Sequence, residues 1–324
     1  MRIEFADQSK VEMFVKSALL IAFLVSFSSG GSQATECDFS IVEFLKREIA
    51  AGNVQGAPGK VDFDSIARRI ESGELKMKRI SGQSVSKIDG LPPGQDVFVR
   101  SDFTENLRPD KGLSSVGIDV TTRQKRDVQF YQLSHYLGFD SVPESKLMTL
   151  SGKEVSMQVR VYGKEFKTEI EYERYIKKRI VSGQLPYMKH KQDVENLAIL
   201  DMVGGNMDRN ISNIVFDEHA NRLIGIDHAD SMPEIEKVPS VMWFWNVHGV
   251  VVDEKMNPSS YKMIMNLDAE KLGKQIEKDG LLDINAVYRM KGRIKFMKRY
   301  LTEHPDASMK ELGDEMEESM LDFL

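Results

Sequence analysis

Three polar residues of types that handle phosphoryl groups lie close together in the sequence: Asp208, Asn213 and Asp227. Phosphoryl transfer from a nucleotide needs one carboxylate that steers the acceptor hydroxyl and takes its proton. It also needs an Asn and a second Asp that hold Mg²⁺ on the phosphates, and Mg²⁺ prefers such oxygen ligands. We therefore expect Asp208 to be catalytic and Asn213 and Asp227 to bind the metal.

An apolar helix and a hairpin must position these residues. The helical face of Leu197, Leu200 and Val203 ends at Gly204-Gly205, and a polar loop with Asp208 and Asn213 follows. The alternative is a turn, rich in Asp and Asn, that only caps a helix.

Two short apolar runs, 214–216 and 223–226, flank a polar turn and predict a hairpin directly before Asp227. A hairpin returns its second strand to the place where the first strand began. Asp227 should therefore arrive close to Asn213 and Asp208.

The same segment resembles the phosphatidylinositol 3/4-kinase-like branch of the kinase superfamily. That branch writes its loop as G-N-x-D-R-x-x-x-N and its metal strand as I-D-H-x-x-S; this chain has Gly205-Asn206-Met207-Asp208-Arg209 with Asn213, then Ile226-Asp227-His228-Ala229-Asp230-Ser231. The HipA-type toxin kinases and the secretory-pathway kinases share a looser version. The usual His-Arg-Asp of protein kinases is absent.

The resemblance implies an α+β class and a bilobal, protein-kinase-like fold that binds ATP and Mg²⁺ between its lobes. A small, β-rich N-lobe with one helix would span 75–163, and a larger, mainly helical C-lobe would span 164–324. A helical extension at 35–74 would precede them. Apolar patterning predicts the following strands and helices: strands over 75–80, 85–88, 96–100, 146–150 and 155–161, and helices over 64–73, 121–138, 168–182, 193–203, 267–275, 283–303 and 308–321.

The resemblance also implies residues that bind the nucleotide. Backbone N–H groups of the turn at Ser81-Gly82 could donate to phosphate, although a plain hairpin turn fits equally well. Gln158 matches the family's Ser-x-Gln strand next to the adenine hinge. Arg100 stands where the family shows Lys, and Asp127 stands where it shows the Glu that orients this cation.

An Arg100–Asp127 pair would be a swapped version of the family's Lys–Glu pair. Arginine keeps the positive charge, but its planar fork differs from an ammonium group. Three alternatives stay open: Asp127 exposed on its helix, Lys87 as the phosphate-binding cation, or Lys111 in that role.

Composition argues against nucleic-acid binding and against a disulfide-stabilised fold. The net charge of −6 gives no general attraction to nucleic acid, and the basic clusters at 177–179 and 189–191 are typical of solvated helix faces. The single cysteine, Cys37, excludes an intramolecular disulfide.

The N-terminal region predicts export. An apolar run at 18–27 follows Lys16, and Ser32-Gln33-Ala34 fits a small-x-small cleavage site, so residues 1–34 are predicted to be a secretory signal peptide. A buried apolar helix is the alternative. The mature chain should carry no transmembrane span and should be secreted or exported: to a periplasm, into a host or prey cell, or into a secretory lumen.

The sequence thus favours an exported, ATP- and Mg²⁺-dependent kinase that phosphorylates a protein hydroxyl. The alternatives are a phosphoinositide kinase, which would act on a lipid, and transfer of AMP by the same metal site. A pseudokinase or nucleotide-binding interaction module is a further alternative, suggested by Arg100 and Asp127.

Overall fold

The computed structural model describes residues 61–80, 85–92, 94–101, 120–234 and 250–321. The predicted signal peptide, the Ser81-Gly82 turn and Lys111 lie outside these ranges. The domain limits after residues 34, 74 and 163 stay predictions.

The first part of the fold is a five-stranded antiparallel sheet in the order β1-β2-β3-β5-β4. The strands have the following bounds: β1 (Lys76–Arg79), β2 (Val85–Asp89), β3 (Val97–Arg100), β4 (Ser145–Leu150) and β5 (Lys153–Val159). Strands β1 to β3 follow one another in the sheet, and the tight turn at Ser151-Gly152 joins β4 to β5.

The two faces of this sheet are covered by different helices. Helix α1 (Phe63–Glu71) begins at Asp62, whose carboxylate accepts the N–H of Ser65. Its buried residues share one apolar core with Val99 and Met157 of the sheet. Helix α2 (Arg123–Tyr136) also packs on β4 and β5. Because side chains alternate along a strand, Arg100 lies on the face opposite to Val99.

The second part is mainly helical. A three-stranded antiparallel sheet, β6-β7-β8, lies within it. The elements are β6 (Lys164–Glu165), α3 (Glu169–Val181), α4 (Tyr187–Gly204), β7 (Ile214–Asp217), β8 (Arg222–Gly225), α5 (Val250–Asp253), α6 (Pro258–Asn266), α7 (Ala269–Asp279), α8 (Ile284–Glu303) and α9 (Met309–Leu321).

Helix α4 lies at the centre of this helical part. Residues 197–204 are buried on every side of the helix, which is the expected pattern for a helix surrounded by other elements. Since α4 ends at the polar loop with Asp208, a helix segment that is buried on every side fixes the position where that loop starts.

The main chain passes from the first sheet to the second at Gly163, directly before β6. A Cβ atom at this position would lie 2.3 Å from the carbonyl oxygen of Phe216 on β7. Only glycine allows so close an approach of two backbones.

The structure confirms the predicted α+β class: a small antiparallel sheet region precedes a larger helical region, consistent with a bilobal, kinase-like fold. Helix α6 was not predicted. Its start is held by Glu195 on α4, whose carboxylate accepts the Asn257 N–H. None of the helices in the described ranges is long and apolar enough to cross a membrane.

Candidate active site

The loop after α4 begins at a left-handed glycine. Gly205 has φ 59° and ψ 45° and ends the helix, a conformation that favours glycine. A Cβ atom here would lie 2.9 Å from Arg293 Cζ and 2.9 Å from Pro233 Cδ. The backbone turn and the close neighbours both require glycine at this position.

A buried ion pair holds this loop to α4. Arg209 donates Nε–H to Asp201 Oδ2 at 2.9 Å and Nη2–H to Asp201 Oδ1 at 3.0 Å, and both side chains are at most 2% exposed. The side-chain amide of Asn206 donates to the same carboxylate at 2.9 Å. Asp201 therefore restrains the loop on both sides of Asp208.

The loop brings Asp208 and Asn213 into contact. Asn213 Nδ2 donates to Asp208 Oδ2 at 3.1 Å and to the Asp208 carbonyl oxygen at 2.6 Å. Asn210 Nδ2 donates to Asp208 Oδ1 at 2.9 Å. The Asp208 side chain is exposed, whereas Asn213 is buried. Because the Asn213 nitrogen donates both of these bonds, its Oδ1 is the atom that could coordinate a metal ion.

The hairpin of β7 and β8 returns to this loop as the sequence predicts. Ile214 pairs with Gly225, and the Ile226 N–H donates to the Asn213 carbonyl at 3.0 Å. Asp227 follows at once with φ 53°, a left-handed conformation that is uncommon for residues other than glycine. Its side chain is 46% exposed.

Arg100 on β3 bridges two acidic residues from different elements. Its Nε donates to Asp127 Oδ2 at 2.7 Å, and its Nη2 donates to Asp227 Oδ1 at 2.5 Å. Ser156 Oγ donates to Asp127 Oδ2 at 3.3 Å. Asp127 is buried, so the alternative of an exposed Asp127 is wrong, and Arg100 is the cation that contacts it.

Two effects oppose each other at Asp127. Burial raises the pKa of its carboxyl to about 6, and the nearby negative charge of Asp227 acts in the same direction, while Arg100 lowers it. Burial prevails because the carboxyl gives up its hydration and receives only part of the Arg100 charge, which Asp227 shares.

His228 connects the segment that follows β8 with the loop after α4. Its fully buried ring lies against Phe130 at 4.3 Å between ring centroids, nearly parallel. Arg209 Nη2 is 2.9 Å from Nδ1, and the Gly225 carbonyl is 3.0 Å from Nε2. Arginine can only donate and a carbonyl can only accept, so the ring is neutral and carries its proton on Nε2. Burial, together with the Arg209 charge, holds the pKa of His228 well below its usual range.

Helix α2 is held to the same segment by two arginines. Arg123 Nε donates to Asp230 Oδ1 at 3.0 Å. Arg126, which is 1% exposed, donates to the carbonyl oxygens of Ser231 and Met232 and to Glu234. Burial raises the pKa of Asp230 against the lowering effect of Arg123, and the negative charges of Asp227 and Asp208 add to the increase.

Of the remaining predicted site residues, Gln158 lies on β5 and is half-buried. Its Nε2 donates to Ser145 Oγ at 3.0 Å. Strand alternation places it on the same sheet face as Ser156, which faces Arg100 across the β3–β5 register. Ser81 and Gly82 lie outside the described residues.

Sequence reasoning missed Asp201 and His228. The signal for Asp201 was a carboxylate within an apolar helix, since a buried charge requires a partner. For His228 the residue was visible within the I-D-H-x-x-S motif, but no local pattern identifies Arg209 as its partner.

The donor set fits Mg²⁺ held partly by a nucleotide. Within the described ranges, no three His, Cys, Asp or Glu side chains form a group that could hold a metal ion. Mg²⁺ commonly takes one or two protein ligands and completes its shell with phosphate oxygens and water. Asn213 Oδ1 and Asp227 Oδ2 would be those ligands.

No family model and no curated protein matches this chain. Among solved structures, one match is the crystal structure of the Helicobacter pylori proinflammatory kinase CtkA. The two chains are 12% identical with a TM-score of 0.39, and the match covers 75% of this chain and 96% of the other.

Proposed function

We propose that this protein is an ATP- and Mg²⁺-dependent phosphotransferase of the phosphatidylinositol 3/4-kinase-like type, which phosphorylates a protein hydroxyl. One observation carries the proposal. Asn213 contacts Asp208 in a loop that the buried Arg209–Asp201 pair holds to α4. Arg100 contacts both Asp227 and Asp127, which lies on another element. Catalytic carboxylate, metal ligands and phosphate-binding cation are thus assembled from separate parts of the chain.

Asp208 has the exposure that its role requires. Its carboxylate orients the acceptor hydroxyl and takes the hydroxyl proton as the bond to phosphorus forms. The side-chain amides of Asn210 and Asn213 fix both carboxylate oxygens. Such pre-positioned acid–base groups contribute on the order of 10²–10⁴-fold to rate.

Asn213 and Asp227 bind the metal in this proposal. When bound, Mg²⁺ neutralises charge on the phosphates of ATP. Arg100 contributes a second positive charge, and Asp127 holds its guanidinium at 2.7 Å. The turn at Ser81-Gly82 would bind phosphate, and Gln158 would lie beside the adenine.

Transfer from labelled ATP tests the proposal. The full chain is incubated with Mg²⁺ and either γ-labelled or α-labelled ATP, with protein acceptors or phosphoinositide vesicles. Label from the γ position alone on protein is the expected result. Label on lipid would establish the phosphoinositide alternative, and label from the α position would establish nucleotide transfer. ATP binding without any transfer would establish a pseudokinase.

We also propose that residues 1–34 direct export and are removed. The apolar run at 18–27 and the small residues at 32–34 support this. N-terminal sequencing of the protein from its native source tests it, and an intact Met1 on the exported protein would contradict it.

A further inference from the structure

We infer that His228 is a positioning residue that sets the backbone of Asp227 and couples helix α2 to the loop of Asp208. This inference rests on the proposed function, because it assigns Asp227 to the metal. The chain lacks a histidine in the loop itself. The histidine comes instead from the residue directly after Asp227 and contacts Arg209 of the loop.

The first step concerns the ring. Three contacts from three elements fix its plane and its tautomer: Arg209 of the loop at 2.9 Å, the Gly225 carbonyl at the end of β8 at 3.0 Å, and the Phe130 ring of α2. A side chain that is held on three sides cannot rotate without breaking one of these contacts.

The second step concerns Arg209. Its Nη1 donates to the carbonyl oxygens of Asn213 at 2.8 Å and Ile226 at 3.0 Å. Asp201 holds this guanidinium through two bonds and His228 through a third. The guanidinium in turn contacts the residue directly before Asp227 and the second proposed metal ligand, so loss of the His228 contact removes one of its restraints.

The third step concerns the backbone of His228. Its N–H donates to Asp127 Oδ1 at 3.1 Å, and its carbonyl accepts Ser231 Oγ at 2.7 Å. Asp227 therefore has a restrained neighbour on each side: His228 after it, and Ile226 before it, whose carbonyl accepts from Arg209. These contacts hold Asp227 in a left-handed conformation, φ 53°, which costs an aspartate roughly 1–2 kcal/mol.

Two variants separate a positioning role from plain core packing. In His228→Phe the ring still stacks on Phe130 but cannot accept from Arg209. In His228→Asn the side-chain oxygen can accept that bond in place of Nδ1. His190→Phe is the matched control: it makes the same change at another buried histidine, on α4, whose ring lies near Tyr172.

Binding of Mn²⁺ in the presence of ATP, followed by electron paramagnetic resonance, is the first readout. Outer-sphere partners of metal ligands typically change metal affinity by 10–100-fold. We expect His228→Phe to weaken Mn²⁺ binding by about that factor, His228→Asn to recover part of it, and His190→Phe to bind as the wild type does.

Amide hydrogen exchange at residues 226 and 228 is the second readout and requires neither metal nor turnover. Faster exchange in His228→Phe than in His190→Phe is expected, and equal exchange with equal Mn²⁺ affinity would overturn the inference. If His228→Phe does not fold, the same comparison is made with His228→Leu against His190→Leu, because leucine also lacks an acceptor for Arg209. If the variants show these effects but the wild type transfers no phosphate, the proposed function is refuted and the positioning role of His228 remains.

Discussion

Arg100 donates its Nε–H to Asp127 across 2.7 Å, and both side chains are at most 12% exposed. The pair joins strand β3 to helix α2. The same guanidinium contacts Asp227, so one cation holds two acidic residues that would otherwise repel each other. Arginine can do this because its fork presents several donors in fixed directions.

Arg100→Met should therefore destabilise the protein. It leaves the Asp127 carboxylate buried without its cation, which typically costs roughly 3–5 kcal/mol of unfolding free energy. Arg100→Lys is the control, since it keeps the charge but cannot reach both carboxylates with the same geometry. The free energy of unfolding in urea at neutral pH and the affinity for ATP are measured on each variant. If neither value changes in Arg100→Met, the role assigned to Arg100 is contradicted.

Asp208→Ala should abolish transfer while leaving the fold and ATP binding nearly intact. The exposed carboxylate contributes little to packing, whereas loss of a general base costs on the order of 10²–10⁴-fold in rate. Asp217→Ala is the matched control, because Asp217 accepts backbone N–H groups in the β7–β8 turn and otherwise pairs with Arg222 at 3.9 Å. It should cost roughly 1 kcal/mol of stability and nothing specific in turnover. Equal behaviour of the two variants would remove Asp208 from the chemistry.

Asp227→Asn should weaken ATP binding in the presence of Mg²⁺ more than in its absence. A neutral amide loses the charge that holds the cation. Thermal stabilisation by ATP, with Mg²⁺ and with a chelator, measures the difference within one variant. We would withdraw the metal assignment if stabilisation by Mg-ATP equalled that of the wild type.

Arg209→Met should destabilise the protein strongly, by roughly 3–5 kcal/mol, because Asp201 would remain buried without its cation. The exposed pair of Lys255 and Asp306 provides the control, and Lys255→Met should cost less than about 1 kcal/mol. Chemical denaturation of both variants tests this difference. Similar losses for the two variants would show that the buried pair does not anchor the loop.

Acid should destabilise the protein through His190. Burial lowers the pKa of His190 to about 4, so between about pH 6.5 and pH 4 the unfolded chain binds a proton that the folded chain refuses. Stability from this group is complete above the unfolded pKa and falls as pH decreases, by at most about 1.4 kcal/mol per pH unit. His190→Phe removes this term. The unfolding free energy of the wild type minus that of the variant should decrease as pH falls from 7 to 4.5. A value that stays constant would refute the prediction.

Residues that are close together in the chain specify the local parts of the site. The apolar face before Gly204, the polar loop and the two runs around the β7–β8 turn fix the order helix, loop, hairpin, and this order brings Ile226 next to Asn213. Such features depend on residues a few positions apart, so periodicity and turn composition reveal them. The contact between Asp208 and Asn213 follows from the same short spacing.

Contacts between residues that are distant in the chain hold these parts in place. Helix α4 begins at Tyr187, six residues before the predicted start, since Lys191 in its first turns is buried through bonds to Glu254 and the Lys255 carbonyl. Those partners lie more than sixty residues away in the chain.

The same holds for Arg100, which is 127 residues from Asp227, and for the ring of His228 against Phe130. A buried polar group must find a hydrogen-bond partner, but the pattern of a sequence does not say which distant residue supplies it. Only the packing of β3, α2 and α4 around the loop selects those partners.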